Sequence, residues 1–211
     1  MAVVEKGSLI LITGVTGFIA SHTADQALQA GYLVRGTARS QEKAQWLSDL
    51  FDKKYGKGKF SVAVVPDMVA ENAFDEAVKD VDGIMHMASV MTFSDQPDEV
   101  IPIAVKGATN VLDSAVKEPK VKSVVLTSSS TSVLSPEPGK VIKATKDMWN
   151  DKAIADAEAG GADGFVVYSA SKTQAEKAFW EAVGKSKGAF QASAVSRLVD
   201  VEPRRGADCS L

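Results

Sequence analysis

The stretch that most constrains the fold is Leu9 to Ala20, where an apolar run ends in a glycine turn and opens into a helical pattern. Leu9-Ile10-Leu11-Ile12 has strand length and no polar residue. Thr13-Gly14-Val15-Thr16-Gly17 turns the chain, and Phe18 to Ala30 carries apolar and small residues at helical spacing, up to a stop at Gly31. Strand, turn and helix start in that order leave free N–H groups at a helix N-terminus, where a phosphate binds readily. In such a turn Gly14 lets the chain close and Gly17 lets a pyrophosphate approach the backbone, while Ala20 is small enough for helix to pack on strand. The spacing is G-x-x-G-x-x-A, which departs from the G-x-G-x-x-G of the usual dinucleotide fingerprint. Glycine turns also end many strands for steric reasons alone, so the remaining chain has to decide.

It repeats the same alternation. Tyr32–Ala38 reads as a second strand, and Ser40 as the N-cap of a helix running through Trp46, Leu47, Leu50 and Phe51. Phe60–Val65 is a third strand, followed by a helix around Phe74–Val78 and a fourth strand at Gly83–Ala88. A long helix over Asp98–Lys117 precedes a fifth strand, Val121–Thr127. Apolar strands alternating with amphipathic helices predict a doubly wound α/β fold, a Rossmann-type parallel sheet covered on both faces. Ligands bind such sheets at the carboxyl ends of the strands. From Ser135 to Gly164 prolines and glycines interrupt the pattern, as in a long functional loop. A helix over Tyr168–Val183, a sixth strand over Phe190–Val201 and an irregular tail over 202–211 complete the expectation.

Charge excludes some functions. With 24 basic and 27 acidic residues the net charge is −3, which draws the chain neither to nucleic acid nor to an anionic membrane. No run reaches the roughly 18–20 apolar residues of a membrane span. The one cysteine, Cys209, rules out an internal disulfide framework, and no signal peptide is visible, so a cytoplasmic protein is expected. His22, His86 and Cys209 give no metal-ligand spacing, so no metal is expected. Trp46 and Trp180 fall on helical faces and read as packing residues.

The chemistry is expected at Tyr168-Ser169-Ala170-Ser171-Lys172. Tyr and Lys four apart share one helix face. A lysine held there favours the phenolate, bringing a group with an ordinary pKa of about 10 toward neutral acid–base work. Thr127-Ser128-Ser129-Ser130-Thr131, after the fifth strand, offers hydroxyls to polarise a carbonyl.

Taken together, Thr13–Ala20, the serine run and Tyr168–Lys172 resemble the extended short-chain dehydrogenase/reductases. Within them the chain is most similar to the dihydroflavonol-reductase-like group, NADPH-dependent reductases of aldehydes and ketones. Val34–Arg39, Val64–Asp67, His86–Ser89, Gly107–Leu112 and Asp147–Asn150 add to the likeness, which runs from about Gly7 to Ala194. The resemblance implies an NAD(P)-binding domain over 1–201 and a small-molecule carbonyl substrate. It implies Tyr168 as the proton donor, Lys172 as the group that tunes Tyr168 and binds the nicotinamide ribose, and Ser129 as the residue that orients the carbonyl. Ser128 and Ser130 stay open as alternatives to Ser129. Asn110 resembles a proton-relay asparagine and reads equally well as a helix-packing amide.

For the cofactor, the resemblance implies contacts from Gly14, Thr16, Gly17, Phe18 and Ile19, from Asp67 to adenine, and from Ala88 and Ser89 to ribose and phosphates. An acidic residue after the second strand would select NAD, whereas Arg39, with Lys43 one helical turn on, favours the 2′-phosphate of NADPH. After Ala194 the sequence departs from the family pattern, and most of the C-terminal substrate region is expected to be missing. A sugar-nucleotide epimerase or dehydratase, and a dinucleotide-binding module with weak or no catalysis, are the competing readings. Pairing of two copies through the Asn110 and Tyr168 helices is a further expectation.

Overall fold

Alternation within β1 (Leu9–Ile12) sets up two faces of a sheet. Leu11 points into one hydrophobic cluster with Ile84, Val124 and Phe179; Ile10 and Ile12 point into another with Val34, Leu47 and Phe51. The structure, a computed structural model, describes residues 4–137, 139, 141–145 and 147–196. Around β1 lie β2 (Leu33–Ala38), β3 (Phe60–Val64), β4 (Gly83–His86), β5 (Ser123–Thr127) and β6 (Gln191–Val195). All pairings are parallel and the order is β3-β2-β1-β4-β5-β6, the doubly wound arrangement expected. The order reverses between β1 and β4, so a crevice opens beyond their carboxyl ends.

Helices α1 (Phe18–Gln29) and α2 (Gln41–Tyr55) cover one face. On α2 the buried stripe is Ala44, Leu47 and Phe51, at helical spacing, and Ser40 caps the helix by accepting from the Lys43 N–H. Trp46 lies off that stripe and is 52% exposed, which corrects its reading as a packing residue. Trp180 is 38% exposed, with its ring edge-on to Phe179.

Helices α3 (Pro97–Ala115) and, after a short α4 (Asp151–Glu158), α5 (Gly164–Lys185) belong to the other face. Val111 and Leu112 of α3 and Phe179 of α5 join Leu11 in the core there. Ala104 and Ala108 of α3 meet Ala175 of α5, small residues that let the two helices approach. Ala153 and Ala157 seat α4 on Ala170 of α5.

Three elements differ from the sequence expectation. No α-helix forms around Phe74–Val78; the segment between β3 and β4 is a series of turns with Asn72 at φ 59° and Asp80 at φ 63°. Side chains from outside satisfy and pin it. The Arg35 guanidinium of β2 donates to the carbonyls of Ala77 and Lys79, and Asn110 of α3 donates to those of Met68 and Ala70. Asp75 accepts from Ser114 and Lys117, which hold its carboxyl below the usual carboxylate range, Lys117 contributing most. Asn110, 4% exposed, is thus a packing amide, the second of its two readings. In the expected loop, α4 forms because the Asn150 side chain caps it by accepting from the Ala153 N–H. Finally, α5 begins one turn before Tyr168, since Asp163 accepts from the N–H groups of Phe165 and Val166. The Phe93 carbonyl lies 2.0 Å from where a Cβ of Gly164 would stand, so only glycine fits that start. Residues 197–201 of the expected sixth strand, the expected boundary after 201, the tail over 202–211 and Cys209 lie outside the described residues.

Phe51 and Trp46 separate packing from mere apolarity on one helix. Phe51→Ala, emptying a site 1% exposed, should cost about 3–5 kcal/mol in denaturant unfolding, and Trp46→Ala should stay within about 0.5–1 kcal/mol of the parent.

Candidate active site

Both rims of the crevice are stitched together at one hydroxyl. Thr13, fully buried after β1, accepts through Oγ1 from the N–H groups of Met87 (2.9 Å) and Ala88 (3.0 Å) beyond β4. Its own proton is therefore left for His86 Nδ1, 3.0 Å away, which fixes the imidazole as the Nε2–H tautomer. Burial pushes His86 down to about 3, and the Lys172 charge adds to the effect, so the ring is neutral. Gly14 follows at φ 67°, with Ala88 Cα 3.1 Å from where a Cβ would stand. Its N–H is held by the Thr37 hydroxyl of β2. The turn therefore needs glycine both for its dihedral and for the approach of the β4 loop.

The N-terminus of α1 beyond this turn fits an anionic group. Gly17 is the N-cap, no side chain caps the helix, and no acidic residue occupies its first turn. Thr16, Gly17, Phe18 (79%) and Ile19 (52%) are exposed there, while Ala20 is buried against the sheet. Free N–H groups and the helix dipole both point a positive end outward. At the end of β2, Arg39 and Lys43 are exposed and form no ion pair among the described residues. Asp67, exposed beyond β3, folds back to accept from the Val69 N–H. Ala88 and Ser89 are half-buried on the β4 side.

Helix α5 brings the rest. Tyr168 is half-buried between Phe93 and Phe165, whose ring centroids lie 5.2 and 6.4 Å away. One turn on, Lys172 Nζ stands 6.0 Å from the centroid of the Tyr168 ring. Burial pushes the Lys172 ammonium down to about 8, and the nearby Glu176 charge pulls the other way. Lys172 and Glu176 share a cleft with His86, Ser89, Thr127 and Ser128.

Of the three candidate serines, two are distinguished by their partners. Ser128 is turned inward and bonds the Glu176 carboxylate. Ser129 caps the short 3-10 turn Ser130–Ser132, accepting through Oγ from Thr131 N–H (3.3 Å) and Thr131 Oγ1 (3.0 Å). Its proton has no acceptor among the described residues. Sequence reasoning missed Glu176, although Tyr168, Lys172 and Glu176 repeat at four-residue intervals on one helix face, a pattern legible in the chain. Among the described residues no three His, Cys, Asp or Glu side chains converge as metal ligands, and no helix is long and apolar enough to cross a membrane.

Residues 10–193 match the NAD dependent epimerase/dehydratase family. The chain is 44% identical over 199 residues to aldehyde reductase 2 of Sporidiobolus salmonicolor, covering 92% of this chain and 58% of that one. It is 38% identical over 196 residues to the ketoreductase adrE of Penicillium rubens, covering 92% and 57%. Among solved structures, yeast methylglyoxal/isovaleraldehyde reductase Gre2 complexed with NADPH superposes with a TM-score of 0.76 at 33% identity, covering 89% of this chain and 56% of that one. The chain thus spans a little over half the length of the relatives it matches.

Thr13→Val keeps the shape and removes the hydroxyl. Chemical denaturation should then show a loss of about 1–3 kcal/mol for each buried partner left unpaired.

Proposed function

The chain belongs to the NAD dependent epimerase/dehydratase family, and from that premise we propose that it is the nucleotide-binding and catalytic part of an NADPH-dependent reductase of aldehydes or ketones. One observation carries the reading: Tyr168 and Lys172 stand on one face of α5, with Lys172 half-buried at the strand-end cleft, 6.0 Å from the Tyr168 ring. The relatives named aldehyde reductase and ketoreductase, and the NADPH bound in the Gre2 structure, support it.

The residues present fit the cofactor. Gly14, Thr16, Gly17, Phe18 and Ile19 would hold the pyrophosphate at the uncapped start of α1. Arg39 and Lys43, which form no ion pair among the described residues, would take the 2′-phosphate. Asp67 would border the adenine, and Ala88 and Ser89 the ribose and phosphates. When bound, NADPH supplies the hydride.

This chain's own side chains handle the carbonyl and its proton. Ser129 donates its unengaged hydroxyl proton to the carbonyl oxygen and fixes its position. Tyr168 gives that oxygen the proton that completes the alcohol. Lys172, positively charged below about 8, stabilises the phenolate left behind and would bond the nicotinamide ribose. Phe93 and Phe165 set their rings beside that of Tyr168. We place this protein in the cytoplasm. We also pair two copies through the outer sides of α3 and α5, where Ile103 (40%) and Trp180 (38%) remain exposed.

Tyr168→Phe removes the phenolic hydroxyl and little else. NADPH-dependent carbonyl reduction should fall by roughly 10²–10⁴-fold while NADPH still binds in a nicotinamide-fluorescence titration. An unchanged rate would overturn the assignment. Arg39→Ala should weaken NADPH binding by about tenfold or more and leave NADH binding nearly unchanged. Co-purification of tightly held NAD would instead favour the epimerase or dehydratase reading.

A further inference from the structure

Glu176 is 8% exposed, a charge-bearing side chain placed where an aliphatic one would be easier to bury. Its Oε2 accepts from Ser128 Oγ and, at 2.7 Å, from Ser132 Oγ, while Oε1 lies 3.4 Å from the indole N–H of Trp180. Ser132 Oγ is also 2.7 Å from the Ser129 carbonyl, so its one proton is shared between the carboxylate and the Ser129 backbone. The two serines bonded by Glu176 therefore flank Ser129 in sequence. Asn150 grips the same turn from the other side, donating from Nδ2 to the Thr131 carbonyl at 2.8 Å. On its own helix Glu176 follows Lys172 by one turn, and both side chains line the cleft at the strand ends.

We propose that Glu176 is a positioning residue of this site: its carboxylate clamps Ser128 and Ser132 on either side of Ser129 and sets a negative charge one helical turn from Lys172 in the same cleft. The proposal rests on the reading of Ser129, Tyr168 and Lys172 given above. Charge and shape do different jobs in it. The clamp needs acceptors at the right distance, whereas the effect on Lys172 needs a negative charge. Of the titratable groups facing Lys172 among the described residues, His86 on β4 is neutral and Tyr168 on α5 presents its ring face, so Glu176 is the one that sets a full negative charge near the ammonium. Lys172 sheds its proton as pH rises through about 8. Removing the Glu176 charge leaves desolvation unopposed and moves that loss to lower pH.

Three full-length variants separate these effects. Glu176→Gln keeps the shape and loses the charge, Glu176→Asp keeps the charge on a shorter arm, and Ser132→Ala cuts one strand of the clamp without touching Lys172. The first readout needs no activity: competitive acetylation across pH, followed by mass spectrometry of the Lys172 peptide, reports its protonation directly. In Glu176→Gln the titration should move to lower pH, whereas in Glu176→Asp and Ser132→Ala it should stay near that of the parent. The second readout is the pH profile of NADPH-dependent carbonyl reduction. Its alkaline limb should move with the acetylation curve in Glu176→Gln, with kcat/KM roughly tenfold lower at neutral pH. Ser132→Ala should lower kcat without moving the limb. A Lys172 titration unmoved in a folded Glu176→Gln, or a reduction profile identical to the parent, overturns the proposal. A parent chain that binds no NADPH and reduces no carbonyl overturns the reductase reading instead, while acetylation still decides for or against the charge of Glu176.

Discussion

Beyond the β1–β4 ladder, one buried hydroxyl, that of Thr13, ties the ends of the two strands together at the point where strand order reverses. Parallel sheets leave the ends of neighbouring strands with N–H groups that no ladder satisfies, and a crevice there is otherwise free to splay. Thr13 accepts from two such groups beyond β4 and donates to His86. Gly14 then lets the first turn run against Ala88 with no intervening side chain. The start of α1, the β4 loop and the buried imidazole are thus set by the same local geometry. An uncapped helix start survives because the turn before it is held from behind by Thr37 of β2.

Helix α5 organises the opposite side. Its buried residues include several hydroxyls that bond back to their own helix, such as Ser169 to the Phe165 carbonyl and Thr173 to the Ser169 carbonyl. These satisfy polar atoms locally and leave the helix packed closely among α3, α4 and the sheet. Against that background the column Tyr168, Lys172, Glu176 is the exception: Lys172 and Glu176 line a shared cleft, Glu176 bonds the serine turn, and Tyr168 stands one turn before them. A helix is a precise carrier for such a column, because four-residue spacing fixes neighbours one above the other.

Most of the scaffold was legible in the chain. Each expected strand is found with its first or last residues shifted by at most a few positions within the described residues, because continuous apolar runs such as Leu9–Ile12 leave little choice in a sheet buried on both faces. What could not be read was decided by partners remote in sequence. The segment around Phe74 carries helical periodicity, yet Arg35, Asn110 and Lys117 hold its backbone and side chains in turns. Trp46 is apolar and helical yet lies beside the buried stripe rather than in it. The fingerprint glycines, Tyr168 and Lys172 could be named from the chain because each belongs to a spaced motif. Ser128 and Ser129 could not be told apart there, since their difference lies in which one reaches Glu176.

Two kinds of charge serve the proposed reading, and their physics differs. Arg39 and Lys43 are exposed at the end of β2, so their attraction for a phosphate is screened by salt over a Debye length of about 8 Å at physiological ionic strength. Lys172, half-buried, and Glu176, 8% exposed, line one cleft, where charges are screened less than at the surface and the balance between burial and attraction sets the protonation state. Discrimination between NADPH and NADH should therefore weaken as salt is raised, whereas proton transfer at Tyr168 should respond to pH and hardly to salt. Measuring the NADPH-to-NADH affinity ratio and the alkaline limb of reduction across one salt series distinguishes the two. A ratio that holds at high salt would mean that Arg39 and Lys43 do not read the 2′-phosphate through charge. The two tasks can be separated because the fold puts them at different places on the sheet, one at the end of β2 and the other on α5 beside β4 and β5.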